Sequence, residues 1–138
     1  MEGEGKALWE SKELIDCDED LIDRVLTAAT NVHRHLGPGL NESVYEAALM
    51  LELAAMRISA RRQVKVPVWY RGQKLELAFQ ADVIVEDCLL LELKSVDSIS
   101  KVHLAQTMNY QKLLNLKRGY LLNFNVKLLK EGIKRVSI

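Results

Sequence analysis

The sequence predicts an α/β fold of the α+β type, in the order helix, helix, three-strand meander, helix, strand. Apolar residues recur at helical spacing in three stretches, and between the second and third of these the pattern alternates as in β-strands. The chain has 138 residues, of which 49% are apolar and 28% charged. It is therefore most simply one domain, able to bury a core without disulfides or a structural metal.

The first helix follows a polar leader. Residues 1–17 show little periodicity, so we expect a loosely held segment ahead of a single domain over residues 18–138. Asp18 or Asp20 can cap the helix, and Gly37-Pro38-Gly39 should end it. The apolar positions between these signals recur at helical spacing and are Leu21, Val25, Ala29, Val32 and Leu36.

The second helix starts near Asn41 and runs to about Met56. Its buried side is predicted from the apolar residues that share one helical face. These are Val44, Ala47, Ala48, Leu51 and Ala55.

The first strand begins after Arg61-Arg62, where valines alternate with polar residues as far as Tyr70. Pro67 cannot donate a hydrogen bond to a neighbouring strand, so we expect this strand at an edge of the sheet. Arg71-Gly72 is the expected turn out of it.

The remaining elements follow in quick succession. A second strand covers about residues 74–85, and Glu86-Asp87 turns the chain into a third strand over residues 88–96. Ser98 or Ser100 caps the third helix. Gly119 to Asn123 reads as a short buried strand, and the segment from Val126 onward is open between helix and strand.

Charged residues inside apolar strands are the most informative feature of the sequence. Asp82 lies in the second strand, and Glu92 and Lys94 lie two apart in the third, so the last two share a face. Two acids and a lysine on one patch are the composition of a metal-dependent phosphodiesterase site, in which the acids hold a hard divalent cation and the lysine lies beside the scissile phosphate. The alternative is a neutralising pair on a solvated strand face.

The turn between these strands decides whether the acids meet. A two-residue turn at Glu86-Asp87 would place Asp82 opposite Leu91, on the wrong face. A three-residue loop or a bulge would bring it opposite Glu92. The functional interpretation therefore requires an irregular hairpin.

Composition limits the possible partners of the protein and its cellular compartment. The net charge is zero, which argues against strong non-specific binding of nucleic acid. Cys17 and Cys88 are too few and too different in setting for a disulfide framework, which favours a reducing compartment. We find no membrane span and no signal peptide, so we expect no membrane partner and a cytoplasmic protein.

One motif connects the chain to a known family. Gly39-Leu40-Asn41-Glu42-Ser43-Val44-Tyr45 reads G-x-x-E-x-x-Y and resembles the signature of the GxxExxY proteins, a family similar to the PD-(D/E)xK nuclease superfamily. The resemblance extends over residues 18–138. Its further ordered matches are Val32 to Gly39, Gln63, Gln106-x-x-x-Tyr110, Leu122-Asn123-Phe124 and Glu131 to Arg135. The chain departs from it at Met56-Arg57, where the family tends to have glycine.

The resemblance implies a restriction-endonuclease-like core with an extra N-terminal helix and a Mg²⁺- or Mn²⁺-dependent nuclease acting on nucleic acid, preferentially DNA. Asp82 and Glu92 would be metal ligands, and with Lys94 they would form the catalytic set. Glu42 looks like the additional acidic ligand of some branches, although a glutamate in a first helical turn is also favoured by the helix dipole.

Three further polar residues would support the site. Gln106 and Tyr110 resemble the Q-x-x-x-Y element of RecB-like nucleases and, four apart, lie on one helix face, where they could orient DNA or the lysine. Gln63 could be polar support for the site. The alternatives are a half-buried helix contact for the pair and a plain strand end for Gln63.

Two other functions remain open on the sequence. One is a non-catalytic module that keeps the nuclease fold to bind nucleic acid or a protein. The other is a dimerisation domain with exposed Trp69 and Phe79 at its interface. Superfamily nucleases are often homodimers, so dimerisation does not decide between these functions.

Overall fold

The computed structural model describes residues 13–75 and 79–138. These residues form three α-helices and seven strands. In chain order they are α1 (Glu19–Leu36), α2 (Glu42–Ala55), β1 (Ala60–Val66), β2 (Trp69–Tyr70), β3 (Gln73–Lys74), β4 (Phe79–Val85), β5 (Leu89–Lys94), α3 (Lys101–Leu114), β6 (Arg118–Asn123), a 3-10 helix (Leu129–Gly132) and β7 (Ile133–Ser137).

Five strands form one mixed sheet in the order β1-β4-β5-β6-β7, and β2 and β3 form a separate two-stranded hairpin. Only the β5–β6 pair is parallel in the five-stranded sheet, and α3 supplies the crossover that such a pair requires. The predicted α+β order, with its three-strand meander β1-β4-β5, is confirmed. The edge position predicted for the first strand is confirmed as well.

The predicted first strand is divided in two. β1 ends at Val66, directly before Pro67, because proline has no N–H with which to continue the pairing. The chain then turns at Arg71-Gly72 into the β2–β3 hairpin, where Trp69 pairs with Lys74. Residues 76–78 of the predicted second strand lie outside the described residues.

The sheet lies between two helical layers. Buried leucines at alternate positions of β5 pack against α1 and α2 on one face, whereas Leu90 points to the other face, where it meets Tyr110 of α3. The α1 helix is capped by Asp18 as predicted, and α3 by Ser100. None of the helices within the described ranges is long and apolar enough to cross a membrane.

The predicted buried face of α2 was wrong. Val44 is 42% exposed and Leu51 is 74% exposed, whereas the side chains that face the core are Tyr45, Glu46, Leu49 and Leu53. The helix is apolar around most of its circumference, so helical periodicity alone does not choose a face. Tertiary contacts of Tyr45 choose it instead.

Tyr45 fixes the start of α2 against the core. Its ring stacks on Phe124 with centroids 4.4 Å apart. Its hydroxyl donates to the Gly37 carbonyl oxygen over 2.5 Å and accepts from the Leu40 N–H over 3.1 Å. These bonds hold the loop between α1 and α2, and therefore set the position of the first turn of α2.

The described end of the predicted leader is held by the domain. The Ile15 N–H donates to Asn115 and its carbonyl accepts from Lys117, both over 2.9 Å. Cys17 and Cys88, which differ in their sequence settings, nevertheless come together, because both thiols are buried and free and their Sγ atoms lie 2.6 Å apart. Residues 1–12 of the leader lie outside the described residues.

The segment left open from Val126 onward forms the 3-10 helix and then β7, which pairs antiparallel with β6. Gly132 joins the two where the backbone passes close to Asn123. A Cβ atom built on Gly132 would lie 2.1 Å from the Asn123 carbonyl oxygen. Only glycine fits at this position without moving the main chain.

We therefore expect Gly132→Ala to lower the free energy of unfolding by about 3 kcal/mol, because the obstructing atom is backbone. Gly119→Ala is the matched control, since its Cβ would meet the end of the Gln111 side chain, not backbone, at 3.0 Å and should cost about 1 kcal/mol. Urea denaturation followed by circular dichroism measures both. Equal losses for the two variants would contradict the close approach at Gly132.

Candidate active site

The loop between β4 and β5 sets the register on which the site depends. Val85 pairs with Leu89, so three residues connect the strands, and two of them, Glu86 and Asp87, adopt φ angles of 49° and 53°. This is the irregular hairpin that the functional interpretation required. The register places Asp82 opposite Glu92, as the continuation of the Val83–Leu91 pair.

The two acids meet in the gap between their strands. The Asp82 N–H donates to Glu92 Oε2 over 2.8 Å, and the Leu93 N–H donates to Asp82 Oδ2 over 2.8 Å. The carboxylates thus occupy the place that main-chain carbonyls hold in a regular sheet. One oxygen of each carboxylate is used by the backbone, and the other is available to a further ligand.

Burial governs the charge of the pair. Glu92 is only 3% exposed, and its burial, followed by the charge of Asp82, raises its pKa to about 8. Burial also raises the pKa of Asp82, against the effect of the Leu93 hydrogen bond. Two adjacent acids with raised pKa values, one buried and one half-buried, are typical of functional sites, because a structural role would favour neutral or paired groups.

Lys94 brings an opposite charge that acts on both acids. It projects from β5 two residues after Glu92, is partly buried, and lowers the pKa of the Asp82 and Glu92 carboxyl groups. In both cases the effect of burial is larger. The local charge balance of the described site therefore remains in favour of an additional cation.

Glu42 approaches the same gap from α2. Its Oε2 accepts a hydrogen bond from the Ser95 N–H over 3.1 Å, one residue beyond Lys94. Its charge raises the pKa values of both Asp82 and Glu92. A polar depression of about 430 Å³ opens beside it, lined by Leu40, Asn41, Glu42, Ser43 and Ser95.

Glu46 is a site residue that sequence reasoning missed. It follows Glu42 by one helical turn, is 5% exposed, and its charge acts on Asp82. Arg62 binds its Oε2 over 2.7 and 2.9 Å, and Gln63 Nε2 donates to its Oε1 over 2.5 Å. The i, i+4 spacing from Glu42 could have indicated that both glutamates lie on one side of α2, but the predicted buried face of this helix did not include them.

The three predicted supporting residues lie around the acids. Gln63 adopts a φ of 51°. In the β1–β4 register it falls opposite Asp82, between the Arg62–Val83 and Val64–Ala81 pairs. Gln106 Nε2 donates to the Tyr110 hydroxyl over 3.3 Å. Burial, and then the charges of Glu92 and Asp82, raise the pKa of Tyr110, which brings this pair within electrostatic reach of the site.

The residues present fit a divalent cation in chemistry, although they are not gathered as a ready cluster. Within residues 13–75 and 79–138, no three His, Cys, Asp or Glu side chains stand in ligand geometry. The reason is visible in Asp82, Glu92 and Glu42, each of which gives one oxygen to a backbone N–H. Oxygen donors in a buried acidic gap are nevertheless the ligands that Mg²⁺ and Mn²⁺ prefer.

Two of the histidines have structural roles. His33 is buried on α1, and its Nε2 lies 2.8 Å from the Val126 carbonyl oxygen, near the Phe124 ring. His103 accepts from the Ser100 N–H as part of the cap of α3. Neither takes part in the acidic gap.

Comparison with known proteins gives one finding. A family model described as the PD-(D/E)XK nuclease superfamily matches residues 19–136. The matched region contains every residue of the site described above. No curated protein and no solved structure matches the chain.

Without metal, stability should fall with rising pH because of Glu92. Its pKa is raised from 4.5 to about 8, so the stabilisation due to its protonated form is complete below pH 4.5 and is lost as the pH rises through 8. Glu92→Gln removes this dependence. Above pH 8.5 we expect the variant to be more stable than wild type by on the order of 2–4 kcal/mol.

Urea denaturation in EDTA at pH 5 to 9 measures this difference. Glu131→Gln, an exposed acid on the 3-10 helix, is the control and should follow wild type at every pH. A constant gap between wild type and Glu92→Gln across the range would show that Glu92 is ionised throughout.

Proposed function

Because the chain belongs to the PD-(D/E)XK nuclease superfamily, we propose that it is a Mg²⁺- or Mn²⁺-dependent nuclease that hydrolyses phosphodiester bonds, with DNA as its preferred substrate. The observation that carries this proposal is the pair of carboxylates, buried Glu92 and half-buried Asp82, held between β4 and β5 with Lys94 beside them. We place the chain in the GxxExxY branch of the superfamily. In support, Tyr45 of that motif anchors the helix that brings Glu42 to the site.

Asp82 and Glu92 would hold the cation through the oxygens that the backbone does not use, and Glu42 would complete the set after release of its bond to Ser95. A bound divalent cation supplies Lewis-acid polarisation of the phosphate and a lowered pKa for an attacking water. The backbone bonds to Asp82 and Glu92 keep both carboxylates oriented before the cation arrives.

Lys94 provides a positive charge beside the acids. An ammonium group at this place stabilises the negative charge that builds on a phosphate during hydrolysis. Gln63 and Gln106 carry amide groups near the same gap, whose N–H groups can donate to the phosphodiester and whose oxygens can accept from Lys94. Glu46 holds Gln63 in its left-handed conformation and so acts on the site through it.

The competing function is a binding module that keeps the fold without catalysis. The acidic gap distinguishes a nuclease from a binding module, because a module that only binds nucleic acid has no use for a group of acids beside its ligand. Cleavage and cation affinity therefore test the proposal from two directions.

Cleavage is tested with supercoiled plasmid and with single-stranded DNA in the presence of Mg²⁺ or Mn²⁺. We expect Lys94→Ala and Asp82→Asn to lower the cleavage rate at least about 100-fold, because the first removes a positive charge beside the phosphate and the second removes a ligand of the cation. Lys130→Ala, an exposed lysine on the 3-10 helix, is the matched control and should cleave like wild type. Wild type that shows no metal-dependent cleavage above Asp82→Asn would exclude catalysis on DNA.

Cation binding is measured by titration calorimetry with Mn²⁺ alone. Because the Glu92 pKa is about 8, a cation must displace its proton at lower pH. We expect Mn²⁺ affinity to rise about tenfold per pH unit up to pH 8 and then to level off. The Glu92→Gln variant should bind weakly and without this slope, and a pH-independent affinity in wild type would place the cation elsewhere.

A further inference from the structure

Exposed aromatic side chains are concentrated at one end of the sheet. Trp69 and Tyr70 of the β2–β3 hairpin are 48% and 66% exposed, and Phe79, the first residue of β4, is 47% exposed. Trp69 and Tyr70 are consecutive residues of β2, so their rings project from opposite faces of the hairpin. An exposed aromatic ring on each face makes the hairpin a candidate for ligand binding. We call the hairpin together with Phe79 the aromatic arm.

The aromatic arm is continuous with the candidate site. Phe79 pairs with Val66, the last residue of β1 before the hairpin, and its ring lies 5.9 Å from the ring of Tyr110. Burial, and then the charges of Glu92 and Asp82, raise the pKa of Tyr110. Asp82 follows Phe79 by three residues, which is about 10 Å along a strand.

The charge of this segment is uniformly positive. Residues 65–75 contain Lys65, Arg71 and Lys74 and no acidic residue. All three cations are exposed, and in the described part of the chain none forms an ion pair with a carboxylate. Lys74 lies directly across the hairpin from Trp69, so a cation and an aromatic ring share one face of the hairpin.

Aromatic rings interleaved with cations match one class of ligand. The rings can stack on unpaired bases while the cations contact the phosphates, which is how proteins bind single-stranded nucleic acid with little sequence preference. A duplex offers its phosphates but keeps its bases stacked. A protein interface would have an apolar centre depleted of lysine, which the charges of residues 65–75 oppose.

We propose that the aromatic arm binds single-stranded DNA next to the candidate active site and so directs the enzyme to unpaired strands. The inference rests on the proposed nuclease function and deepens it by naming the substrate class. Bases would stack on Trp69 at one face of the hairpin and on Tyr70 at the other, and the strand would continue past Phe79 and Tyr110 towards the acids.

Binding tests the inference without catalysis. Fluorescence anisotropy in EDTA compares a labelled 20-nucleotide single strand with the duplex of the same sequence. We expect the double variant Trp69→Ala, Tyr70→Ala to weaken single-strand binding at least about tenfold and duplex binding by less than twofold. The conservative double variant Trp69→Phe, Tyr70→Phe keeps the rings and should restore most of the affinity.

Two further variants separate charge from stacking. Arg71→Gln with Lys74→Gln should reduce the salt dependence of binding to both DNA forms. Leu51→Ala, which removes an exposed apolar residue on α2, is the control and should bind like wild type. Circular dichroism confirms that each variant is folded.

Equal losses on single strand and duplex, or no loss in the alanine double variant, would overturn the inference. Light scattering adds a second criterion. A wild-type dimer that becomes monomeric in the alanine double variant would assign the arm to self-association instead. If single-strand binding depends on the aromatic arm but no DNA is cleaved, the nuclease function is wrong and the role of the arm is supported. If DNA is cleaved but single-strand binding does not depend on the arm, the nuclease function is supported and the role of the arm is wrong.

Discussion

The reciprocal hydrogen bonds between Asp82 and the strand that carries Glu92 are the constraint on which the site depends. Each carboxylate accepts a main-chain N–H from the opposite strand, so neither can turn away without leaving a buried donor unsatisfied. The bonds hold two like charges together in a place that disfavours both. Burying them opposes folding, and the leucine-rich faces of β5 offset this cost from both sides of the sheet.

Much of the fold was predictable because its signals are local. Helical and alternating periodicity placed three helices and the meander, and Pro67 marked the edge strand. The spacing of Glu92 and Lys94 identified the charged strand. The decisive loop was not predictable, since Glu86 and Asp87 take left-handed conformations that the sequence would have signalled only with glycine or asparagine.

What the sequence could not supply depends on contacts between distant segments. Local periodicity placed α2 in the right part of the chain but turned it to the wrong face, because the ring of Tyr45 is oriented by Phe124, far along the chain. The same error hid Glu46, which has meaning only beside Arg62 and Gln63. The contact between Cys17 and Cys88 likewise joins residues whose local settings differ.

A net charge of zero conceals a separation of charge that bears on the proposed function. The carboxylates of Glu42, Glu46, Asp82 and Glu92 act on one part of the sheet, whereas exposed cations lie on the β2–β3 hairpin, beyond Phe79, which is itself about 10 Å from Asp82 along β4. A polyanion is attracted at the hairpin, and the part of it that comes within about a Debye length of Asp82 is repelled by the acids. Neutralising the acids with a divalent cation removes the repulsion and leaves the attraction. On the proposed function, cation binding and nucleic-acid binding are therefore thermodynamically linked, and each must strengthen the other by the same factor.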